Sequence, residues 1–251
     1  MIFTFYFLYS FWFIFCVCFM KLKEKDLSNS KNPRFTKWEE IANAVSHWVG
    51  LAFWIVATVL MIVKSCHIWN AYHIVWASIF WLWLILLYCS SMLNHALPSG
   101  SKAKNFFHNF DQIAIYFLIA WTYTPIALVW IRDIWWWVFF GLQRWFALTW
   151  IILKFFMPNK FEKGVNTFIV ISYAFMGWML LYFIYPMYQQ IPPMWMWWIF
   201  IGWGLYTLGI IAFKLEKVKY MHLIWHLAVL AWSVCHRIAI MWYILPIGGK
   251  C

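Results

Sequence analysis

The sequence predicts an all-α integral membrane protein, a bundle of seven membrane-spanning helices with its N-terminus in the cytoplasm and its C-terminus outside. Three observations predict it. Hydrophobic residues make up 66% of the 251 and charged residues only 11%, a balance that a soluble domain could not cover with polar surface. Apolar windows of roughly 20 residues, the length that crosses a bilayer as a helix, recur seven times. Lys and Arg then gather in alternate connections, which sets the orientation.

The windows fall at about 41–63, 73–95, 110–131, 134–157, 165–186, 193–214 and 221–245. Short polar breaks separate them, several carrying the Pro, Gly or Asn of turns: SCHIWNAY, ALPSGSKAKN, RD, MPNKFEKG, MYQQIP and LEKVKY. None is long enough to form a soluble domain. Three parts result: an extra apolar segment at 1–20, a basic cytoplasmic segment at 21–40, and a membrane domain at 41–246. Residues 1–20 lack the basic start and small-residue cleavage site of a secretory signal. They read either as an eighth, preceding helix or as an artefact of start-site choice, with translation beginning at Met20; the second reading is preferred.

Fourteen of the nineteen Lys and Arg fall on one side of the bundle. The segment from 20 to 40 carries six, the second-to-third connection Lys102 and Lys104, the fourth-to-fifth Lys154, Lys160 and Lys163, and the sixth-to-seventh Lys214, Lys217 and Lys219. That side is cytoplasmic by the positive-inside rule. The asymmetry accounts for the formal charge of +11, so no nucleic-acid partner is implied and the surrounding partner is membrane lipid. The six cysteines show no CxxC pair and read as lipid-facing or core thiols, without a disulfide framework.

The chemistry lies in polar residues within apolar spans, because each costs free energy in hydrocarbon unless it has a partner or a function. In HLIWHLAVLAWSVCH, residues 222–236, His222 and His226 stand four apart at the cytoplasmic entrance of the seventh span. Their rings share one face, roughly 6 Å apart along the axis. The second span runs inward and ends in SSMLNH, which puts Ser91 and His95 at the same level, and Asp111 is expected in the first turn of the third. Three neutral imidazoles are the ligand set of a catalytic zinc site, which leaves the fourth position to water. Asp111 would orient that water or take its proton, and Ser91 could hydrogen-bond it or a substrate oxyanion. The plainer reading is a set of core polar residues bonded between helices.

The order SxxxH, then PSGSKAK, then FDQIAIYFLIAWTYTP, then HLIWH with SVCH, preceded by EEIANAVSH at 39–47, resembles the hemolysin III family within the progestin and adipoQ receptor superfamily. The similarity runs from about residue 36 to 246. It implies that His95, His222 and His226 bind zinc with Ser91 and Asp111 beside it, in a multi-pass protein of the bacterial cytoplasmic membrane. Family members with lipid-amidase activity suggest a zinc-dependent hydrolase acting on a lipid amide or ester. The alternative is a receptor-like or membrane-perturbing, haemolytic protein in which the metal staples helices together. Asn94, Gln112 and Arg237 depart from the family's usual residues without removing a ligand. Trp48, Trp121 and Trp232 stand where the family has glycine. Two readings account for this: a gene from a lineage that decodes UGA as glycine, translated with UGA as tryptophan, or a Trp-rich protein repacked around the rings.

Other intramembrane polar residues rank lower. Glu40, Asn43 and His47 form one stripe at i, i+3 and i+7, either supporting the site from behind or bonding structurally. His236, roughly 15 Å beyond His226 along the helix, is too deep to share the metal and is expected to hydrogen-bond between helices, the alternative being a substrate contact. Tyr123 and Pro125 are expected to kink the third span. His67, His73 and His108 lie in or near connections and carry no signal.

If the fourteen cationic residues govern orientation, a reporter fused after Lys250 is extracytoplasmic and one inserted in MPNKFEKG is cytoplasmic. Reversal of both in a protease- or enzyme-reporter assay would overturn the placement of the histidines at the inner leaflet.

Overall fold

The structure is a computed structural model, and it describes residues 35–68, 71–98, 101–124, 134–156, 162–190 and 193–244. Among these residues every element is helical: α1 Lys37–Ile68, α2 Ala71–Ala96, α3 Lys102–Thr122, α4 Ile134–Phe156, α5 Glu162–Trp178, a 3₁₀ turn Met179–Phe183, α6 Ile184–Gln190, α7 Met194–Lys214, α8 Met221–Ile238 and a π-helical end Ala239–Ile244. The fifth apolar window corresponds to one continuous helical run from α5 through the 3₁₀ turn into α6. The readings of residues 1–20, of most of the basic segment and of Pro125 lie outside the described residues.

Among the described residues, four helices are long and apolar enough to cross a membrane: Lys37–Leu60, Ser78–Ala96, Met194–Lys214 and Met221–Tyr243. Shorter apolar stretches occupy Trp137–Leu153 and Ile169–Leu181. The protein is therefore a helical membrane protein. Its polarity is the reverse of a soluble domain's: Val56, Leu60, Trp197 and Leu208 are exposed, whereas Asn43, His47, Ser91, His95, His222, His226 and His236 are buried. Outward apolar side chains suit lipid, and inward polar ones must then bond to one another.

Local chemistry sets the helix ends at the site. Thr36 and Glu39 form a capping box at the start of α1: the Thr36 amide and hydroxyl donate to Glu39 Oε2 at 2.9 and 2.7 Å, and the Glu39 amide returns to Thr36 Oγ1 at 3.4 Å. Glu39 Oε1 accepts the Tyr220 amide at 3.0 Å. Tyr220 is left-handed, with φ of 63°, and turns the chain from the α7 connection into α8. In α3, Ser101 caps the helix by accepting the Lys104 amide at 3.1 Å. This cap starts α3 at Lys102, well before its hydrophobic window, so Asp111 sits about two and a half turns inside the helix, where the sequence had suggested its first turn. Hydropathy marks hydrocarbon, whereas backbone hydrogen bonding continues into the polar zone.

The core is aromatic. Trp54, Trp81, Trp195, Tyr88 and Tyr116 are fully buried, and Trp54 meets Trp81 with ring centroids 5.5 Å apart. Side-chain hydrogen bonds tie α3, α4 and α5: Tyr116 Oη pairs with Ser172 Oγ at 2.6 Å, Tyr123 Oη donates to the Met176 carbonyl at 2.9 Å, and Gln143 Nε2 donates to the same carbonyl at 3.0 Å. They converge where α5 yields to the 3₁₀ turn. The hydroxyl of Tyr123 thus clamps a neighbouring helix.

Close approach of α7 to α8 depends on Gly209, where an added Cβ would lie 2.7 Å from Ala228 Cβ and 3.1 Å from Trp225 Cε3. At Gly204 an added Cβ meets nothing within 4 Å. Gly209→Val should cost about 1–3 kcal/mol through overpacking and lower the thermal midpoint in detergent, while Gly204→Ala leaves it unchanged; equal midpoints for the two variants would refute the packing argument.

Candidate metal centre

His95, near the end of α2, and His222 and His226, in the first two turns of α8, each offer a ring nitrogen, and these atoms all lie within 4.8 Å of one another. All three residues are buried. Ring centroids are 4.6 Å apart for His222 and His226, 4.9 Å for His95 and His226, and 5.2 Å for His95 and His222. The cluster fits one ion, since tetrahedral bonds of about 2.1 Å place ligand nitrogens about 3.4 Å apart. Nothing in the arrangement discriminates among metals that favour imidazole.

Hydrogen bonds from α1 set the tautomers. His95 Nδ1 lies 2.6 Å from Glu40 Oε2, and because a carboxylate only accepts, Nδ1 carries the proton and Nε2 is the nitrogen for a metal. Ser46 Oγ donates its one proton to the Asn43 carbonyl at 2.8 Å. The contact of 3.2 Å between Ser46 Oγ and His226 Nδ1 therefore runs from the imidazole N–H to the hydroxyl oxygen. His226 is thus left in the same tautomer as His95. Glu40 Oε1 accepts from Lys104 Nζ at 3.0 Å, and that ammonium also donates to the Leu97 carbonyl at 3.3 Å.

A cavity of about 250 Å³ opens beside the three imidazoles and is also lined by Asp111, Ser91, His47 and Lys104. The five residues singled out as ligands and catalytic groups thus share one chamber. A smaller cavity of about 40 Å³, lined by Trp203, Tyr206 and His236, adjoins it through Leu87, Ile115, Tyr173 and Val229. His47 packs edge-on against His226 with centroids 3.9 Å apart. Among the described residues, neither ring nitrogen of His47 and neither amide atom of Asn43 has a hydrogen-bonding partner.

Several expectations change. His236 Nδ1 lies 3.1 Å from the Trp232 carbonyl of its own helix; among the described residues its ring makes no hydrogen bond to another helix, and Gly202 lets α7 pack directly against it. His108 does carry a signal: it lines the chamber because α3 begins early enough to include it. Lys104, read only as an orienting charge, reaches into the site. Ser46 was missed, since it lies off the stripe of Glu40, Asn43 and His47. Trp48 is exposed on α1, Trp121 lies under the Arg144 guanidinium at 4.5 Å, and Trp232 packs 4.8 Å from the His236 ring. Cys89 and Cys235 are free thiols, and the side chains of His67 and His73 are outside the described residues.

Fold and site together define a class: helical membrane proteins with a buried cluster of three histidines contributed by two helices. The family described as haemolysin-III related matches residues 35–237, and the chain belongs to it, within the progestin and adipoQ receptor superfamily. Hemolysin-3 of Bacillus cereus is 33% identical over 218 residues, covering 86% of this chain and 97% of that protein. The Hemolysin-3 homolog of Bacillus subtilis (strain 168) is 32% identical over 213 residues, covering 85% and 98%.

Replacing His222 or His226 with Ala removes one of the three imidazoles and should strip a bound metal ion or sharply reduce its occupancy, measured by elemental analysis of purified protein. His236→Ala should keep its metal. Full occupancy in the first two variants would exclude the proposed ligand set.

Proposed function

We propose that the protein is a seven-span, zinc-dependent hydrolase of the bacterial cytoplasmic membrane, acting on a lipid amide or ester at the inner leaflet. The observation that carries this reading is the sharing of one chamber by His95, His222, His226, Asp111 and Ser91. A bound zinc ion supplies Lewis acidity and lowers the pKa of a water in its open position to about 7. The three imidazoles would hold the ion, with Nε2 of His95 and of His226 as ligand atoms.

Asp111 contributes a carboxylate oxygen, the atom that takes a proton from the attacking water and later returns it to the leaving amine or alcohol. Ser91 contributes a hydroxyl that can donate to the carbonyl oxygen of the substrate as negative charge develops there. Leu87, Ile115 and Val229 form apolar walls beside these groups and suit a lipid chain leading away from its carbonyl. The lipid-exposed flanks of the helices let such a substrate enter laterally. The start of α1, the end of α2 and the start of α8 lie together, and Lys104 and Lys219 at that end agree with a cytoplasmic position for the centre.

The second reading takes its support from the names of the relatives, which describe haemolysins: a membrane-perturbing protein whose metal only fastens α2 to α8. Asp111→Asn separates the two. The amide occupies the same volume but cannot take a proton, so zinc should remain while turnover in a screen of lipid amides and esters falls by about 10²-fold or more. If Asp111→Asn leaves every measurable activity unchanged, the metal is structural.

A further inference from the structure

Helix α1 supplies no metal ligand, yet it makes the hydrogen bonds that orient two of the three. Glu40 holds Nδ1 of His95 at 2.6 Å, and Ser46 holds Nδ1 of His226 at 3.2 Å. The two contacts differ in kind. The first is a charge-assisted bond to a half-buried carboxylate, the second a neutral bond to a hydroxyl whose own proton is committed to the Asn43 carbonyl.

We propose that Glu40, anchored by Lys104, is a positioning residue that sets the affinity of the three-histidine centre for its metal, with Ser46 as a weaker counterpart on His226. The proposal rests on the assignment of His95, His222 and His226 as ligands. An imidazole binds a cation through an unprotonated nitrogen, so a free ring in hydrocarbon loses affinity each time it turns over or places its proton on the wrong nitrogen. A carboxylate at Nδ1 removes both losses and makes the opposite nitrogen more basic.

Lys104 completes the device. A carboxylate buried on one side by a neutral ring would be costly to ionise. The ammonium at 3.0 Å on its second oxygen offsets that cost and fixes the rotation of the carboxyl group. Lys104 is itself held by the Leu97 carbonyl, two residues after His95. The ion pair therefore links α1, α3 and the end of α2 around the ligand it serves. The plainer account is that the trio only staples these helices, and the two accounts differ in what they predict for metal affinity.

The test compares wild type with Glu40→Gln, Glu40→Ala and Ser46→Ala in detergent, measuring the Zn²⁺ Kd by chelator competition and the thermal midpoint of the metal-free protein. Glu40→Gln can still accept from Nδ1 but has lost its charge; its Zn²⁺ affinity should fall about 10-fold to 100-fold, with a smaller rise in midpoint on adding zinc. Glu40→Ala should fall at least as far and Ser46→Ala only a few-fold. A helix staple would instead lower the midpoint of the metal-free protein and leave Kd within twofold of wild type, and that result overturns the proposal. Wild-type protein that takes up no Zn²⁺ would overturn the metal centre and the positioning role together. Weakened Zn²⁺ binding in Glu40→Gln, in a protein with no lipid turnover, would sustain the positioning role and remove the hydrolase.

Discussion

Every polar side chain inside this bundle is subject to one constraint: hydrocarbon offers it no hydrogen bonds, so its partners must come from the protein. The bond between Glu40 and His95, 2.6 Å long, is where that constraint is met beside the three histidines. It satisfies an imidazole and a carboxylate together, and through Lys104 it draws α3 to the same point. Much of this end of the bundle is arranged around this contact. Glu39, its neighbour in sequence, turns the other way to cap α1 and hold the Tyr220 amide, so adjacent carboxylates on one helical turn reach the elements that carry all three histidines.

The division of labour among the helices follows from this. Two of them, α2 and α8, carry the three histidines, and α1 packs against both. Asp111 and Lys104 of α3 line the chamber as well, together with Ile169 and Tyr173 of α5 and Phe213 of α7. On the far side of the bundle, bonds from Tyr123 and Gln143 fix the break in α5, away from the histidines. Apolar and aromatic packing between these two polar regions keeps them separate, with Leu87, Ile115, Tyr173 and Val229 at the boundary.

The parts of this arrangement that depend on helical period were legible in the sequence. His222 and His226 at i and i+4, and Ser91 and His95 likewise, could be assigned to shared faces and to one depth without coordinates. What could not be read was rotation about the helix axis and the position of helix ends in polar zones. The stripe of Glu40, Asn43 and His47 was visible, but which helix it faced was not. His108 was dismissed and Asp111 misplaced along α3 for the same reason: Ser101 starts the helix in a segment whose hydropathy reads as a connection. Ser46 joined the site because its hydroxyl bends back to the Asn43 carbonyl, a local bond that leaves no periodic trace.

The three histidines are far apart along the chain. More than a hundred residues separate His95 from His222, and the helix that orients two of the three rings precedes both. A ribosome delivering this chain into the membrane releases α1 and α2 long before α8, so the early helices carry a histidine and a paired carboxylate with no cation to serve. The three-histidine cluster is complete only when the last long helix has been inserted and docked. Chains truncated within α7 would hold the acidic and basic members of the site but lack two of its three imidazoles, and a cell that ties membrane quality control to metal loading could tell them from finished protein.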